Sequence, residues 1–204
     1  ILHYAASRVG ALEVGFVPGK NGLNTKKIID GVESNRIKLL WLLGSDDINF
    51  SDKHNAFIVY QGHHGDKGAE SADLILPGAA YTEKDSTYLN TEGRVQRTNV
   101  AVSPPGDARE DWKIIRAFSS FVDKTLPYDD ISELRDRIAK INKLLVIENS
   151  LIKGSSNDIG NLSTKLLKDI IKPKNINYFM TCPISRASET MAKCSISKSD
   201  WVKK

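Results

Sequence analysis

Three short segments in the first half of the chain are apolar at almost every position, without alternating polar residues. They are residues 37–43, 56–60 and 72–76. A short continuous apolar run is typical of a strand buried on both faces, as the strands of parallel sheets are. The pattern therefore predicts three strands of a parallel sheet.

Elsewhere, apolar residues recur at helical spacing. Asp107 and Glu110 resemble a capping box, so we expect one helix to begin at Asp107. Another is expected to begin near Asp130, because the apolar residues that follow it are spaced for one buried face. Further helices are predicted over residues 1–12, 24–35, 161–171 and 184–195.

The order of these elements indicates an α/β fold with a partial, Rossmann-like parallel sheet. Residues 78–106 are rich in Gly, Thr, Asn and Pro and contain one possible strand at 94–98, while residues 148–160 resemble a linker. We divide the chain into an α/β domain over residues 1–126 and a helical extension with a basic tail over 127–204. Because strands that would start the sheet are missing and residue 1 is not Met, we expect a processing site or the cut end of a longer chain there.

Composition is ordinary for a globular protein, with 40% hydrophobic and 26% charged residues among 204. A chain of this length can bury roughly 70% of its unfolded surface, so it needs no disulfide or metal for stability. Its densest apolar run is far shorter than the ~20 residues of a membrane-spanning helix. We therefore expect no membrane insertion.

Positive charge is concentrated near the C-terminus. Residues 164–204 carry nine basic and three acidic residues, although the net charge of the whole chain is only +4. The lysines are dispersed, and no nucleic-acid-binding module accompanies them. A solvated surface or an acidic protein partner is the favoured interpretation, and nucleic acid is not expected as a partner.

The two cysteines, Cys182 and Cys194, are too few for an iron–sulfur cluster, which typically needs four thiolates. They form no C-x-x-C pair and no His/Cys zinc pattern. We expect both to be reduced thiols.

A histidine pair lies in a glycine-rich loop after the second predicted strand. His63 and His64 have Asp66 and Glu70 nearby, which raises the possibility of a metal site. Adjacent histidines are expected to project in different directions, and the glycines oppose a rigid helix, so a metal would require the loop to fold back. The alternative is a loop at the carboxyl end of a strand, where α/β sheets place ligands, with imidazoles that hydrogen-bond in a packed interface. We expect no metal here.

Other polar groups give weaker indications of a ligand-binding or catalytic site. The turn at residues 44–47 follows a strand, but the chain has no G-x-G-x-x-G, phosphate-binding loop or G-x-S-x-G sequence. Three carboxylates, Glu83, Asp85 and Glu92, are interspersed with Lys84 and Arg94, which favours salt bridges over acid–base catalysis. We therefore predict no catalytic, cofactor-binding or metal-ligating residue on this chain.

Residues 72–96 resemble the signature of the molybdopterin oxidoreductase superfamily. Ser86 departs from it, since a glycine is usual there in molybdenum enzymes. Twelve residues match it: Ala72, Asp73, Leu76, Pro77, Glu83, Lys84, Thr87, Asn90, Glu92, Gly93, Arg94 and Gln96.

Three longer segments, residues 60–84, 102–117 and 180–194, resemble the large iron–sulfur subunits of mitochondrial respiratory complex I, the NADH:ubiquinone oxidoreductase. This resemblance implies a molybdopterin-oxidoreductase-type domain without pterin or metal. The iron–sulfur clusters that pass electrons from NADH to quinone would lie outside this chain. It also implies a place in the peripheral arm on the matrix side of the mitochondrial inner membrane, with other arm subunits and the cluster-bearing N-terminal part of the same subunit as partners.

Two alternatives stay open. The chain could be the cofactor-binding part of a true molybdopterin enzyme, of the formate dehydrogenase or nitrate reductase type, with residues 83–96 lining the pterin site. It could instead bind an anion or nucleotide with its strand-end loops. The missing phosphate-loop glycines argue against the second, and Ser86 argues against the first.

Overall fold

The computed structural model describes residues 8–48, 50, 54–150 and 177–202. The chain divides into two compact units, residues 1–152 and residues 153–204. The first unit contains both helices and strands. They are α1 (Arg8–Glu13), α2 (Thr25–Glu33), β1 (Leu39–Leu43), β2 (Phe57–Gly62), α3 (Lys67–Glu70), β3 (Leu74–Pro77), β4 (Thr87–Leu89), β5 (Val95–Arg97), α4 (Asp111–Phe121), α5 (Ile131–Ile141) and a 3-10 turn (Lys143–Val146).

The predicted parallel sheet is confirmed. Strands β1, β2 and β3 are hydrogen-bonded in that order, and both pairs are parallel. Asp73 fixes the start of β3, because its carboxylate accepts a hydrogen bond from the backbone N–H of Ile58 at 2.7 Å and its own N–H donates to the Ile58 carbonyl. The fold is therefore α/β with a partial parallel sheet.

One face of the sheet carries the main core of the unit. Leu42, Ile58 and Tyr60 are buried there, and side chains from the connections after β1 and β2 pack against them. On the opposite face, helix α4 reaches only part of the sheet, through an edge-to-face contact between Trp41 and Phe118. The uncovered part is an apolar groove of about 590 Å³.

An antiparallel hairpin of β4 and β5 forms the centre of a second core. Leu89 and Val95 from the hairpin are buried with Leu145, and Val9 and Ile138 pack against them. Only β5 was predicted, as the possible strand at 94–98. Residues 148 and 149 also contact the hairpin, since the N–H of Asn149 donates to the Val95 carbonyl. The rest of the predicted linker, residues 151–160, lies outside the described residues.

The predicted helix start at Asp107 is wrong. Helix α4 begins at Asp111, and Glu110 occupies the N-cap without a side-chain hydrogen bond. The reason is tertiary, because Arg109 pairs with the end of β3 through backbone hydrogen bonds to Pro77 and Ala79. That pairing holds residue 109 out of a helix. The predicted start near Asp130 is confirmed, since the Asp130 side chain caps α5 by accepting the N–H of Glu133.

The second unit is helical in its described part. It contains a 3-10 turn (Tyr178–Met180), α6 (Pro183–Arg186) and α7 (Glu189–Val202). The single helix predicted over 184–195 is therefore two helices, and the helix predicted over 161–171 lies outside the described residues. No helix within the described ranges combines the length and apolarity needed to cross a membrane.

Candidate functional site at the carboxyl edge of the sheet

The carboxyl ends of the three parallel strands meet at one edge of the sheet, as the sequence predicts for the histidine loop. Gly44 follows β1 and donates its N–H to the Gln61 carbonyl at 2.7 Å, while Gly78 follows β3 and donates to the Gly62 carbonyl at 2.8 Å. His63 and His64 come directly after β2, between these two contacts. Because open α/β sheets place ligands at this edge, it is the candidate functional site.

The two histidine rings converge, contrary to the expectation that they diverge. Their Nδ1 atoms are 2.8 Å apart, and the rings meet edge to face at a centroid distance of 5.0 Å. Tyr60 helps to fix this geometry by donating its hydroxyl hydrogen to the His64 carbonyl. Partial burial lowers the pKa of His63, and the neighbouring His64 and Lys84 lower it further, whereas Asp111 and Glu83 oppose the shift.

One of the acidic residues near the histidines has a structural role. Asp66 caps the short helix α3, because its side chain accepts the N–H of Lys67 at 2.9 Å and its carbonyl accepts the N–H of Glu70. Among the residues that the structure describes, no three His, Cys, Asp or Glu side chains converge as a metal site would require. The loop contains a short helix despite its glycines, which the sequence argument did not anticipate.

Gly68 brings two of the strand-end loops into direct contact. A Cβ atom at this position would lie 2.5 Å from the Ser45 carbonyl oxygen and 2.9 Å from Cα of Asp46. The N–H of Gly68 donates to the Asp46 carbonyl at 3.2 Å. The glycine therefore permits a close approach between the turn after β1 and the loop after β2.

Lys84 belongs to a chain of polar contacts that joins helix α4 to the sheet. Its ammonium group lies 2.5 Å from one carboxylate oxygen of Asp111, and the other oxygen accepts a hydrogen bond from the fully buried Gln61 at 3.0 Å. The indole N–H of Trp41 donates in turn to Gln61 at 3.2 Å. Gln61 and Asp111 were not identified from the sequence, because no local spacing shows that they meet.

Asp85 is the centre of a second cluster. Arg135 from α5 holds both of its oxygens, at 2.7 and 2.9 Å, and Arg97 from β5 adds a contact at 2.9 Å. Arg97 also reaches Glu148 at 3.1 Å. These hydrogen bonds, led by that from Arg135, lower the pKa of Asp85 to about 2.

The end of the signature forms the turn of the β4–β5 hairpin. The side-chain oxygen of Asn90 accepts the backbone N–H groups of Glu92 and Arg94, at 3.0 and 2.9 Å. Gly93 has φ of +86°, a conformation that side chains disfavour. Asn90 and Gly93 are therefore explained by the turn itself.

The salt bridges predicted for this segment are present for two of the three carboxylates. Asp85 pairs with Arg97 and Arg135, and Glu92 lies 3.6 Å from Arg94. Glu83 instead accepts the backbone N–H of Ala80 at 2.9 Å.

These contacts test whether a pterin cofactor fits the signature. Lys84, Asp85, Asn90 and Arg94 are all bonded within the chain, so they do not form a set of groups directed at one ligand. The cavity beside Lys84 and Asp85 is about 200 Å³, below the roughly 300–1,000 Å³ of typical ligand pockets. Among the described residues, these polar groups of the signature are therefore engaged by contacts inside the chain.

The cysteines lie far along the chain from this edge, and neither forms a disulfide. Cys182 caps α6, and hydrogen bonds from the Ser185 hydroxyl and backbone N–H lower the pKa of its thiol. Within the described residues, it belongs to no group of three or more His, Cys, Asp or Glu side chains that could hold a metal ion.

Comparison with known families gives the fold a name. Residues 1–121, more than half of the chain, match the family model for molybdopterin oxidoreductases. The chain belongs to the molybdopterin oxidoreductase family. A second model, which describes the C-terminal region of the NADH-ubiquinone oxidoreductase G subunit, matches residues 147–194.

Curated relatives of this molybdopterin oxidoreductase family member confirm the resemblance to complex I subunits. The chain is 47% identical over 97% of its length to the mitochondrial NADH-ubiquinone oxidoreductase 78 kDa subunit of Neurospora crassa. It is 46% identical to the 75 kDa subunit of Reclinomonas americana and 44% identical to the NADH-quinone oxidoreductase G subunit of Rickettsia conorii, over 96% and 95% of the chain. The chain spans 26–28% of the length of these relatives.

Proposed function

We propose that this chain is the C-terminal part of the large iron–sulfur subunit of mitochondrial complex I and that it serves as a scaffold in the peripheral arm. The observation that carries the proposal is its similarity, at 44–47% identity over nearly all of its length, to NADH-ubiquinone and NADH-quinone oxidoreductase subunits. Electron transfer from NADH to quinone would be performed by iron–sulfur clusters on the rest of the assembly. The scaffold would support the domains that carry them.

The internal bonding of the signature supports a structural role. In this chain the polar residues of the signature join the hairpin to α5 and the sheet to α4, through Asp85 and Lys84. Each of these contacts stabilises the fold without any ligand. Such a rigid domain is suited to holding neighbouring subunits in fixed positions.

The proposal extends to cofactors, partners and location. We infer that this chain binds neither molybdopterin nor an iron–sulfur cluster of its own. Its partners would be other subunits of the matrix arm and the cluster-bearing part of the same subunit. It would therefore lie on the matrix side of the mitochondrial inner membrane.

Elemental analysis of the native particle that carries this chain tests the proposal most directly. The particle is purified without chelators, and iron and molybdenum are counted per copy of the chain. Abundant iron without molybdenum is the expected result. Near-stoichiometric molybdenum would contradict the scaffold proposal and would favour the pterin-binding alternative. Absence of both metals would mean that the chain works neither in complex I nor in a molybdopterin enzyme.

Replacement of both His63 and His64 by Ala tests the role of the loop within that assembly. We expect less of the double variant in the purified particle, because the loop would lose its internal contact, while the metal content per assembled particle stays constant. If assembled particles that contain the double variant held less metal than parent particles, the loop would bind metal and the scaffold role would be contradicted.

A further inference from the structure

We propose that His63 and His64 share a single proton and form a pH-sensitive latch, which holds the loop of residues 62–65 closed at neutral pH and releases it in acid. The proposal is based on the position of the two rings at the carboxyl edge of the sheet. It does not depend on the identity of the complex in which the chain works.

The distance between the two Nδ1 atoms determines how many hydrogens can lie between the rings. Two nitrogens 2.8 Å apart form a hydrogen bond only if one Nδ1 carries a hydrogen and the other presents its lone pair. The two rings must therefore be in different tautomers when both are neutral. If both Nδ1 atoms carried hydrogens, two donors would face each other and the rings would separate.

Three charge states follow from this requirement. The neutral pair is closed. A pair with one added proton is also closed, since the proton can bind at Nε2 of the donor ring and leave a charge-assisted hydrogen bond between the Nδ1 atoms. Only the second added proton must bind at the shared position, so only the doubly charged pair opens.

Besides His64, charged groups from two other segments act on His63. Lys84 disfavours the charged ring, whereas Glu83 and Asp111 favour it. Asp111 is already paired with Lys84, so the excess positive charge comes from the second histidine. Repulsion between the two rings is therefore the interaction that separates the two protonation steps.

The loop is built so that release of the rings affects only a short segment. Tyr60 holds the His64 carbonyl on one side, and the Gly62 carbonyl stays bonded to Gly78 on the other. Gly62 and Gly65 flank the pair and tolerate a wide range of backbone angles. The movement is thus confined to the region between the strand end and the Asp66 cap of α3.

Nuclear magnetic resonance of the full chain, with its histidine rings labelled with nitrogen-15, tests the latch. At neutral pH we expect a scalar coupling between the two Nδ1 nuclei across the shared hydrogen, which persists when the first proton binds. The coupling should disappear on further acidification. Because opening takes up one extra proton, the ratio of open to closed loop should rise tenfold for each unit by which the pH falls in that range.

The variant His64→Phe keeps an aromatic ring but removes the partner nitrogen. We expect His63 to titrate in a single step, at higher pH than the second protonation step of the parent pair, because repulsion from a second charged ring is lost. The signal of His54 in the same spectra reports the integrity of the fold. Absence of the coupling in the unmodified chain at neutral pH would overturn the proposal, as would an unchanged His63 titration in a folded variant.

Discussion

Asp85 shows how much electrostatic stabilisation one side chain provides in this fold. Its carboxylate joins a strand of the hairpin to a helix that lies fifty positions away in the sequence. The bidentate geometry with Arg135 is the arrangement in which an arginine binds a carboxylate most strongly. With 26% of the side chain exposed, solvent screens this interaction only in part.

The variant Asp85→Asn should lower the free energy of unfolding by about 1–2 kcal/mol at pH 7. The pKa of this group is about 2 in the folded chain and 3.8 without its partners. A depressed pKa contributes stability above the unfolded value, and that contribution is lost as the pH falls through the folded value. Urea unfolding should therefore show the gap between variant and parent closing as the pH falls from 4 toward 2.

Asp129→Asn is a matched control for this prediction. Asp129 also pairs with an arginine, Arg116, at 2.7 Å, but 81% of its side chain is exposed. We expect its replacement to cost less than about 1 kcal/mol, since exposed ion pairs contribute little. Equal costs for the two variants would show that the bidentate contact adds nothing.

At the scale of elements, close backbone approach determines how the strand-end loops fit together. Gly68 lets α3 touch the turn after β1, and the atoms nearest to it are backbone atoms that no side-chain rotation can move. Helix α3 has only four residues, so it depends on this contact for its position.

Replacement of Gly68 by Ala should cost about 1–3 kcal/mol of unfolding free energy, because the added methyl group would overlap the backbone of Ser45 and Asp46. Gly19→Ala is the control, since a Cβ there meets no atom within 4 Å and the backbone angle is not left-handed. Chemical denaturation of both variants measures the difference. A Gly68→Ala variant as stable as Gly19→Ala would mean that the loops do not pack as described.

The elements that sequence pattern predicted well are those with strong local signals. The three parallel strands have continuous apolar runs, and α5 has both an Asp130 cap and a regular apolar stripe. Strand β4 was not predicted because a segment of three residues, Thr87–Leu89, is too short to show a hydrophobic pattern. Helix α4 begins later in the sequence than predicted because Arg109 pairs with the end of β3. This contact joins distant positions, so no local sequence pattern shows it.

The position of the candidate site could be predicted from the sequence, but its side-chain geometry could not. Its position followed from the rule that ligands bind at the carboxyl ends of parallel strands. The convergence of His63 and His64 depends on backbone angles that adjacent residues alone do not specify. The partners of Lys84 and Asp85, Asp111 and Arg135, are separated from them by 27 and 50 positions.

At the scale of the whole molecule, the first unit leaves apolar surface uncovered on one sheet face. Leu39, Phe57 and Leu74 are each about half exposed there, and Phe121 on the neighbouring helix is 86% exposed. Parallel sheets are normally covered on both faces. Large contiguous apolar surfaces on soluble proteins mark interaction sites, so this apolar groove favours association of the isolated chain.

We expect the purified chain to bind a hydrophobic dye and to self-associate at micromolar concentration. Phe121→Asp should weaken both several-fold while changing the unfolding free energy by less than about 0.5 kcal/mol, because the ring is almost fully exposed. Dye fluorescence and sedimentation velocity measure the two effects. Val102→Asp, at an exposed apolar position that does not line the groove, should leave both unchanged.

The contact between Asp85 and Arg135 also has a consequence for the order in which the chain folds. The hairpin turn and helix α5 are each made by residues close in sequence, so both can form early. The ion pair can form only after a segment of fifty residues has closed on itself, at an entropic cost. We therefore expect it to form late in folding, so that its loss accelerates unfolding more than it slows refolding.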